Sequence, residues 1–309
     1  MEVRDHITGG NGYHVPVMLK EAIDALNIKP DGIYVDCTFG GGGHSKAMLD
    51  RLGNHGKLYV FDQDEDAKTN LPDDTRIVFL PYNFRHIGRI LRLHEVSKVD
   101  GILADLGVSS HQFDEGERGF SIRFNAALDM RMDQRQSITA AQLLMEKSEE
   151  ELVQIFSEYG EVTNSKTLAR TIVAYRSSVP LQTIQQFKDA VQQVVKGNPN
   201  KYFAQVFQAL RIAVNDEMGA LKELLEQVPE YLSSGGRIAV ITFHSLEDRL
   251  VKNFFRSGSF EDEVPDEIYG TRRVSPFTVV TKKPIVPTEK EVKMNARSRS
   301  AKLRIAEKK

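Results

Sequence analysis

Short apolar runs alternate with helical stretches along the first part of the chain. Runs rich in Ile, Val, Leu, Tyr and Phe predict strands, because these side chains suit the half-buried surface of a sheet. The runs before residue 110 are 33–35, 58–61, 76–80 and 101–104. Strands that alternate with helices pair in parallel. We therefore predict an α/β fold whose parallel sheet carries helices on both faces.

The alternating pattern stops near residue 113. Segment 113–200 has no long run typical of a strand. Two capping-box pairs, Ser148 with Glu151 and Thr183 with Gln186, predict helix starts inside it. We interpret 113–200 as an inserted helical domain that recognises the substrate.

Apolar side chains at three- and four-residue spacing then predict one long helix over 207–232, which returns the chain to the sheet. A fifth strand is predicted over 237–243, and Ser245 is predicted to cap the helix that follows. The cofactor-binding domain is therefore expected to be discontinuous and to comprise 1–112 and 201–309.

Four consecutive glycines, 40–43, follow the first predicted strand. Without Cβ atoms this turn bends sharply and lets the backbone approach a ligand closely. Ser45 is predicted to cap the next helix, whose first N–H groups favour a polar or anionic ligand group. A loop that binds nothing is the alternative, and the second predicted strand argues against it.

That second strand ends at Asp62, 20 residues after Gly42. An acid at this place accepts hydrogen bonds from ribose hydroxyls in nucleotide-binding folds. Ser45 stands where a dinucleotide G-x-G-x-x-G beginning at Gly40 needs its last glycine. The loop therefore suits S-adenosylmethionine, an adenosine with a small polar tail, better than a nicotinamide dinucleotide.

The carboxyl ends of parallel strands meet at one edge of a sheet, so Phe84 and Asp105 are predicted to lie near Asp62. Phe84 is a candidate to lie against an adenine ring, with a plain core role as the alternative. In an amino-methylating enzyme, backbone carbonyls after Asp105 and the hydroxyls of Ser109 and Ser110 would hold the target amine in line for methyl transfer, mainly by positioning it. A polar turn that merely leaves the strand is the alternative. We take Asp105, Ser109 and Ser110 as the candidate catalytic residues.

Composition narrows the class of protein. The chain has 309 residues, 40% of them hydrophobic and 27% charged, as in ordinary soluble domains. No stretch is apolar and long enough to cross a bilayer, so we expect a cytoplasmic protein without a membrane partner. The single cysteine, Cys37, excludes an internal disulfide and lies on the cofactor strand, which disfavours covalent carbon methylation. We expect His44 and His244 to form hydrogen bonds and predict no metal site.

Charge is unevenly distributed. The net charge is −2, yet residues 282–309 contain ten Lys/Arg and three Glu. A basic C-terminal tail on an acidic body indicates contact with a polyanion, and a solubilising terminus is the equally weighted alternative.

Several long motifs in one order carry a resemblance to a known family. They are 14–19 (HVPVML), 36–45 (DCTFGGGGHS), 105–110 (DLGVSS), 118–121 (RGFS), 128–132 (LDMRM), 207–212 (FQALRI), 243–249 (FHSLEDR) and 295–303. Over 14–304 the chain resembles the RsmH (MraW) family of bacterial 16S ribosomal RNA cytosine-N4 methyltransferases. The resemblance implies a Rossmann-like class I methyltransferase sheet with a helical insertion. It also implies methyl transfer from S-adenosylmethionine to the N4 amine of a decoding-centre cytidine.

Carried over residue by residue, the resemblance implies the cofactor contacts Gly42, Gly43, His44, Asp62, Phe84, Asp105 and Gln112. The chain departs from the family pattern at Cys37, where glycine is usual, and at 125–127, where Asn-Ala-Ala replaces Asp-Gly-Pro. The family lacks the Pro-Pro-aromatic turn of DNA amino-methyltransferases. Phe113, Phe120 and Phe243 are therefore the candidates to stack on the base.

The implied partner is 16S ribosomal RNA in the small ribosomal subunit. Whether free RNA or the assembled subunit is the substrate stays open, as does homodimer formation. A methyltransferase that acts on another RNA or on protein is one alternative function. A ribosome assembly factor without catalysis, bound through the basic tail, is another, and a nicotinamide oxidoreductase is a third.

Overall fold

The computed structural model describes residues 16–109, 112–113, 116–260 and 274–309. Its strands are β1 Ile33–Asp36, β2 Lys57–Phe61, β3 Ile77–Leu80, β4 Val99–Asp105, β5 Leu232–Thr242, β6 Phe277–Val279 and β7 Lys302–Lys308. Among these residues the strands form one sheet in the order β3-β2-β1-β4-β5-β7-β6.

Strands β1 to β5 pair in parallel, and β7 is antiparallel to both β5 and β6. The predicted α/β fold with a largely parallel sheet is confirmed. The chain moves outward from β1 to β3 and then starts again on the other side of β1 with β4. Open α/β sheets bind ligands at the carboxyl ends of the strands that flank such a reversal.

Helices pack against both faces of the sheet. The α-helices of the described residues are Leu19–Ala25, Gly43–Leu49, Ile87–Leu93, Ala140–Glu146, Glu149–Glu158, Ser165–Arg176, Ile184–Val191, Pro199–Asn215, Glu217–Tyr231, Ser245–Ser257 and Glu289–Met294. Adjacent residues of β4, Ile102 and Leu103, enter two different hydrophobic clusters, one on each face. None of the helices in the described ranges is long and apolar enough to cross a membrane.

Residues between Phe120 and Val214 form a hydrophobic core of their own. The predicted capping boxes at Ser148 and Thr183 are both present in this region, and the side chain of each accepts from a backbone N–H in the first turn. A core of its own is what a separate domain needs. The predicted boundaries of the insertion, 113–200, stay a prediction.

The predicted single helix over 207–232 is wrong. Two helices, Pro199–Asn215 and Glu217–Tyr231, meet at Asp216, whose φ of 46° is left-handed. The apolar spacing continues across this one-residue break, so periodicity alone does not reveal it. Strand β5 then begins at Leu232, directly after the second helix.

Two predicted helix caps are also wrong. The helix after the glycine loop starts at Gly43, and Ser45 lies inside it with its hydroxyl donating to Asp36 Oδ2 over 2.6 Å. The later helix is capped by His244 rather than Ser245, because the imidazole accepts from the Glu247 N–H. At Ser45 a contact with the preceding strand holds the hydroxyl, whereas His244 forms a local capping box with Glu247.

The C-terminal segment is not a free basic tail throughout. Strand β7 lies inside the sheet, between β5 and β6. Arg304 on this strand is buried, and its Nε donates to Asp248 Oδ1 over 2.6 Å. Lys302 Nζ lies 3.1 Å from the other carboxylate oxygen. Lys302 and Arg304 therefore join β7 to the helix Ser245–Ser257 through Asp248, and the polyanion hypothesis stays a prediction for the other basic residues of the segment.

Candidate active site

The glycine loop joins β1 to the helix Gly43–Leu49 and lies beside the end of β4. Gly40 and Gly42 have φ values of 48° and 75°, in the left-handed region that glycine adopts without a steric penalty. The Thr38 hydroxyl accepts a hydrogen bond from the Asp105 N–H over 2.7 Å. The loop thereby brings Asp105 beside the glycines.

Asp62 follows β2 and faces the same loop. Its Oδ2 accepts from the Gly40 N–H and its Oδ1 from the Asp64 N–H, both over 2.8 Å. Burial raises the pKa of Asp62 to about 7, against the opposing effect of these two hydrogen bonds. Each carboxylate oxygen keeps a second lone pair. Asp62 lines the cavity and therefore keeps the capacity to accept hydrogen bonds from a ligand there.

Asp105 ends β4 with one oxygen lacking a partner. Its Oδ1 is buried and has no hydrogen-bond partner among the residues described. Its Oδ2 lies 3.7 Å from His44 Nδ1, and His44 Nε2 lies 3.0 Å from the Val17 carbonyl and so carries the ring proton. Burial raises the pKa of Asp105 well above its ordinary value, and the charges of Asp36 and Glu247 add to this shift. A buried acceptor of this kind indicates a site for a polar ligand.

Gln112 is buried and ties the loop after β4 to the end of β2. Its Nε2 donates to Asp64 Oδ2 over 2.7 Å, and its Oε1 accepts from the Ser109 N–H over 3.1 Å. The Ser109 hydroxyl in turn accepts from the Gln112 N–H over 3.2 Å. Gln112 and Ser109 thus hold each other in place, whereas Ser110 lies outside the described residues.

One cavity of about 610 Å³ joins these groups. The predicted site residues that line it are Gly43, His44, Asp62, Phe84, Asp105, Ser109 and Gln112. Gly42 is not a lining residue and instead precedes the first turn of the helix. Phe84 is half-buried, lines the cavity and packs against the core of the sheet, and its contact with an adenine ring stays a prediction.

The three aromatic candidates for base stacking lie in different places. Phe243 lines the cavity. Phe120 is 7% exposed and belongs to the core of the helical region, so its candidacy is wrong. The Phe113 ring lies 4.9 Å from the Arg297 guanidinium. Phe243 is therefore the aromatic side chain of this set that faces the cavity.

Several lining residues were not singled out from the sequence. Gln63 and Asn83 lie beyond Asp62 and are joined by a hydrogen bond of 2.8 Å. Asn215 and Glu217 reach the cavity from the break between two helices, which carries no local sequence signal. Arg297 also lines the cavity. It lies in the family motif 295–303, so the sequence offered a signal from which this residue could have been predicted.

Glu217, His244 and Glu247 are the one group of three potential metal ligands found in the described part of the chain. Arg211 donates to the two oxygens of Glu217 over 2.8 and 2.9 Å. His244 Nε2 lies 3.2 Å from Glu247 Oε1. Because Arg211 neutralises the charge of Glu217, we interpret the group as an ion-pair network in the cavity wall. The absence of a metal requirement stays a prediction.

The antiparallel β7 separates this sheet from the all-parallel dinucleotide-binding arrangement. The strand order β3-β2-β1-β4-β5-β7-β6 is that of a Rossmann-like class I methyltransferase. Asp62 and Asp105 lie at the carboxyl ends of two of its parallel strands. The sequence model of the MraW methylase family matches residues 11–309. The chain belongs to that family.

Curated relatives agree with the family match. A protein of Azobacteroides pseudotrichonymphae is 54% identical over 297 residues, which cover 96% of this chain and 97% of the relative. Proteins of Bacteroides fragilis and Flavobacterium johnsoniae are 53% and 54% identical, and the matches cover 96% of this chain and 98% of each relative. All three are named ribosomal RNA small subunit methyltransferase H.

Solved structures are more distant. An rRNA methylase from Streptococcus thermophilus is 13% identical with a TM-score of 0.41, and the match covers 96% of this chain and 99% of that one. Fibrillarin from Aeropyrum pernix with bound S-adenosyl-L-methionine is 10% identical with a TM-score of 0.37, covering 93% and 73%. The family assignment therefore depends on the sequence matches.

Proposed function

We propose that this chain transfers a methyl group from S-adenosylmethionine to the N4 amine of a cytidine in 16S ribosomal RNA. The curated relatives are named for methylation of small-subunit ribosomal RNA, and the cytidine amine is the target that the family implies. One observation carries the proposal: a single cavity contains the Asp62 acceptor and the buried Asp105 Oδ1 that lacks a partner in the described residues. A cofactor and a base amine have room to meet there.

The cavity residues fit this cofactor. Asp62 offers oxygens to ribose hydroxyls, and the half-buried Phe84 offers an apolar ring to adenine. The ionised carboxylates of Asp62 and Glu247 line the cavity and favour a ligand with positive charge. When bound, S-adenosylmethionine supplies a methyl group on a positively charged sulfur.

The chain's own contribution is to hold the amine. The lone pair of a base amine delocalises into the ring, so acceptors that bind its N–H groups and turn the lone pair outward speed the reaction by positioning. Asp105 Oδ1 and the Ser109 hydroxyl are the acceptors we assign to this task. His44 Nδ1 is unprotonated and faces Asp105 Oδ2. A proton on Oδ2 therefore leaves Oδ1 free to accept.

We assign substrate recognition to the helical domain. Asn215 couples this domain to the cavity, because its Oδ1 accepts from the Met132 N–H over 2.7 Å and its Nδ2 donates to the Met130 carbonyl over 2.8 Å. Met132 lines the cavity. Asn215 thereby joins the helical domain to the cavity wall, which supports the assignment of this domain to substrate recognition.

Small ribosomal subunits that lack the modification, together with methyl-labelled S-adenosylmethionine, test the proposal. Mapping should find the label on the N4 amine of a 16S cytidine. Asp105→Ala removes the Oδ1 acceptor and should lower turnover by roughly 100-fold or more, the scale seen when one preorganised hydrogen bond is removed. Asp31→Ala, at an exposed turn before β1, is the control and should keep full turnover.

Other outcomes decide between the alternatives. Label on another RNA or on protein would replace the proposed substrate. Binding of the subunit without any label, in protein that binds the methyl donor, would favour the assembly factor and overturn the proposal.

A further inference from the structure

We propose that the exposed basic residues of segment 282–300 bind the RNA phosphodiester backbone beside the target cytidine. This inference rests on the proposed function and names the surface that the substrate uses. The segment contains six Lys/Arg and two Glu. Of its exposed basic residues, we call Lys290, Lys293 and Arg299, the three nearest in sequence to the cavity residues Asn295 and Arg297, the basic rim.

The basic rim is close in sequence to two residues that line the cavity. Asn295 and Arg297 line the cavity, and Lys293 and Arg299 stand two residues to either side of them. The Arg297 guanidinium covers the Phe113 ring at 4.9 Å and so reaches the loop that follows β4. A strand of RNA whose base enters the cavity would pass its phosphates along this segment.

The segment is held in place by contacts outside the rim. The Met18 N–H donates to Glu291 Oε1 over 2.7 Å. Ile285 and Leu303 exchange two backbone hydrogen bonds of 2.9 Å, which join the segment to β7. Ser298 is fully buried, and its hydroxyl donates to the Asn295 carbonyl over 2.8 Å. The charges of the rim are therefore presented on an ordered backbone, which lowers the entropic cost of binding.

The rim differs from the neighbouring basic residues in its partners. Lys302 and Arg304 are both engaged by Asp248. Lys290, Lys293 and Arg299 are exposed and form no ion pair within the part of the chain described. Cations without a fixed carboxylate partner are available to phosphates, and each phosphate contact releases counterions from the RNA. The basic segment 282–309 thus contains two kinds of residue. Lys302 and Arg304 form ion pairs within the protein, and the basic rim is the part that we assign to RNA.

Two triple variants test the proposal with the same change in net charge. The rim variant carries Lys290→Gln, Lys293→Gln and Arg299→Gln. The control variant carries Lys57→Gln, Arg92→Gln and Lys98→Gln, exposed positions near the amino ends of β2 and β4, at the opposite edge of the sheet. Affinity for unmodified small subunits is measured over a series of salt concentrations, and affinity for S-adenosylmethionine is measured by calorimetry.

The rim variant should bind the subunit more weakly at low salt and reduce the steepness of the log–log salt dependence by roughly 2 to 3, about one for each lost phosphate contact. Its affinity for S-adenosylmethionine should be unchanged, and the control should match the wild type in both assays. Equal salt dependence for the rim variant and the wild type would overturn the proposal while leaving the methylation assay intact. Failure of the wild type to methylate any RNA would instead refute the proposed function. Weaker binding of the rim variant to anionic vesicles, with RNA binding unchanged, would assign the rim to a membrane and overturn the proposal as well.

Discussion

Asp62 offers the sharpest test of the cofactor site, because its protonation and its hydrogen bonds are coupled. Burial raises its pKa to about 7 in the cofactor-free protein. Ribose hydroxyls donate to the ionised carboxylate, so cofactor binding favours that form. The association constant for S-adenosylmethionine should therefore rise with pH up to about 7, by at most tenfold per unit, and level off above it. Binding below pH 7 should release a proton.

Asp62→Asn should remove both effects. A hydrogen bond to a charged acceptor contributes about 1.5–3 kcal/mol, which corresponds to roughly a 10- to 150-fold loss of affinity. The side-chain amide also presents its NH₂ group to either the Gly40 or the Asp64 N–H, so one backbone donor loses its acceptor. Leaving that donor unsatisfied costs about 1–3 kcal/mol of stability.

Stability of the cofactor-free protein gives an independent readout. Because the pKa of Asp62 is raised above the ordinary value of 3.8, the folded state binds this proton more tightly than the unfolded chain does. The contribution of Asp62 to stability is complete below pH 4 and is lost as pH rises through about 7. Comparison of wild type and Asp62→Asn by urea unfolding isolates this contribution from those of other buried acids, and Asp31→Asn serves as control.

Calorimetric titration between pH 5.5 and 8.5, in buffers of different ionisation enthalpy, measures affinity and proton release together. A wild-type affinity that is independent of pH would refute the reasoning. So would an Asp62→Asn variant that keeps the wild-type pH dependence, because the proton would then belong to another group.

Two further predictions concern the sheet and the base. Arg304→Met should lower the free energy of unfolding by roughly 3 kcal/mol, because it leaves the largely buried Asp248 with Lys302 alone. Adding Asp248→Asn should restore part of that loss in urea unfolding, and a purely additive double variant would contradict the ion-pair explanation. Phe243→Ala should lower methyl transfer by roughly 5- to 150-fold, since stacking on a base contributes about 1–3 kcal/mol, with unchanged affinity for the methyl donor. Unchanged turnover in Phe243→Ala would exclude stacking of the base on Phe243. Phe120→Ala should instead destabilise the helical core by about 3–5 kcal/mol.

The parts of this protein that its sequence determines are those encoded by neighbouring residues. The glycine loop and Asp62 are predicted because a strand, a tight turn and an acid at fixed spacing are local features. The capping boxes at Ser148 and Thr183 are predicted for the same reason, since each joins residues within one helical turn. Local signals of this kind sufficed for the fold class, the glycine loop and Asp62, whereas Gln112 was expected only from the family resemblance.

Only the tertiary structure decides features whose partners lie far along the chain. Strand β7 pairs with β5 across 60 residues at Lys302 and Thr242. Because this partner is distant in sequence, the basic residues of β7 are interpreted from the sequence alone as part of a free tail. The break at Asp216 likewise leaves the apolar spacing intact and yet brings Glu217 to the cavity. Side-chain charge and hydropathy are fixed by the sequence, but the partner that neutralises a charge, or the wall that a residue joins, is fixed by packing between distant elements.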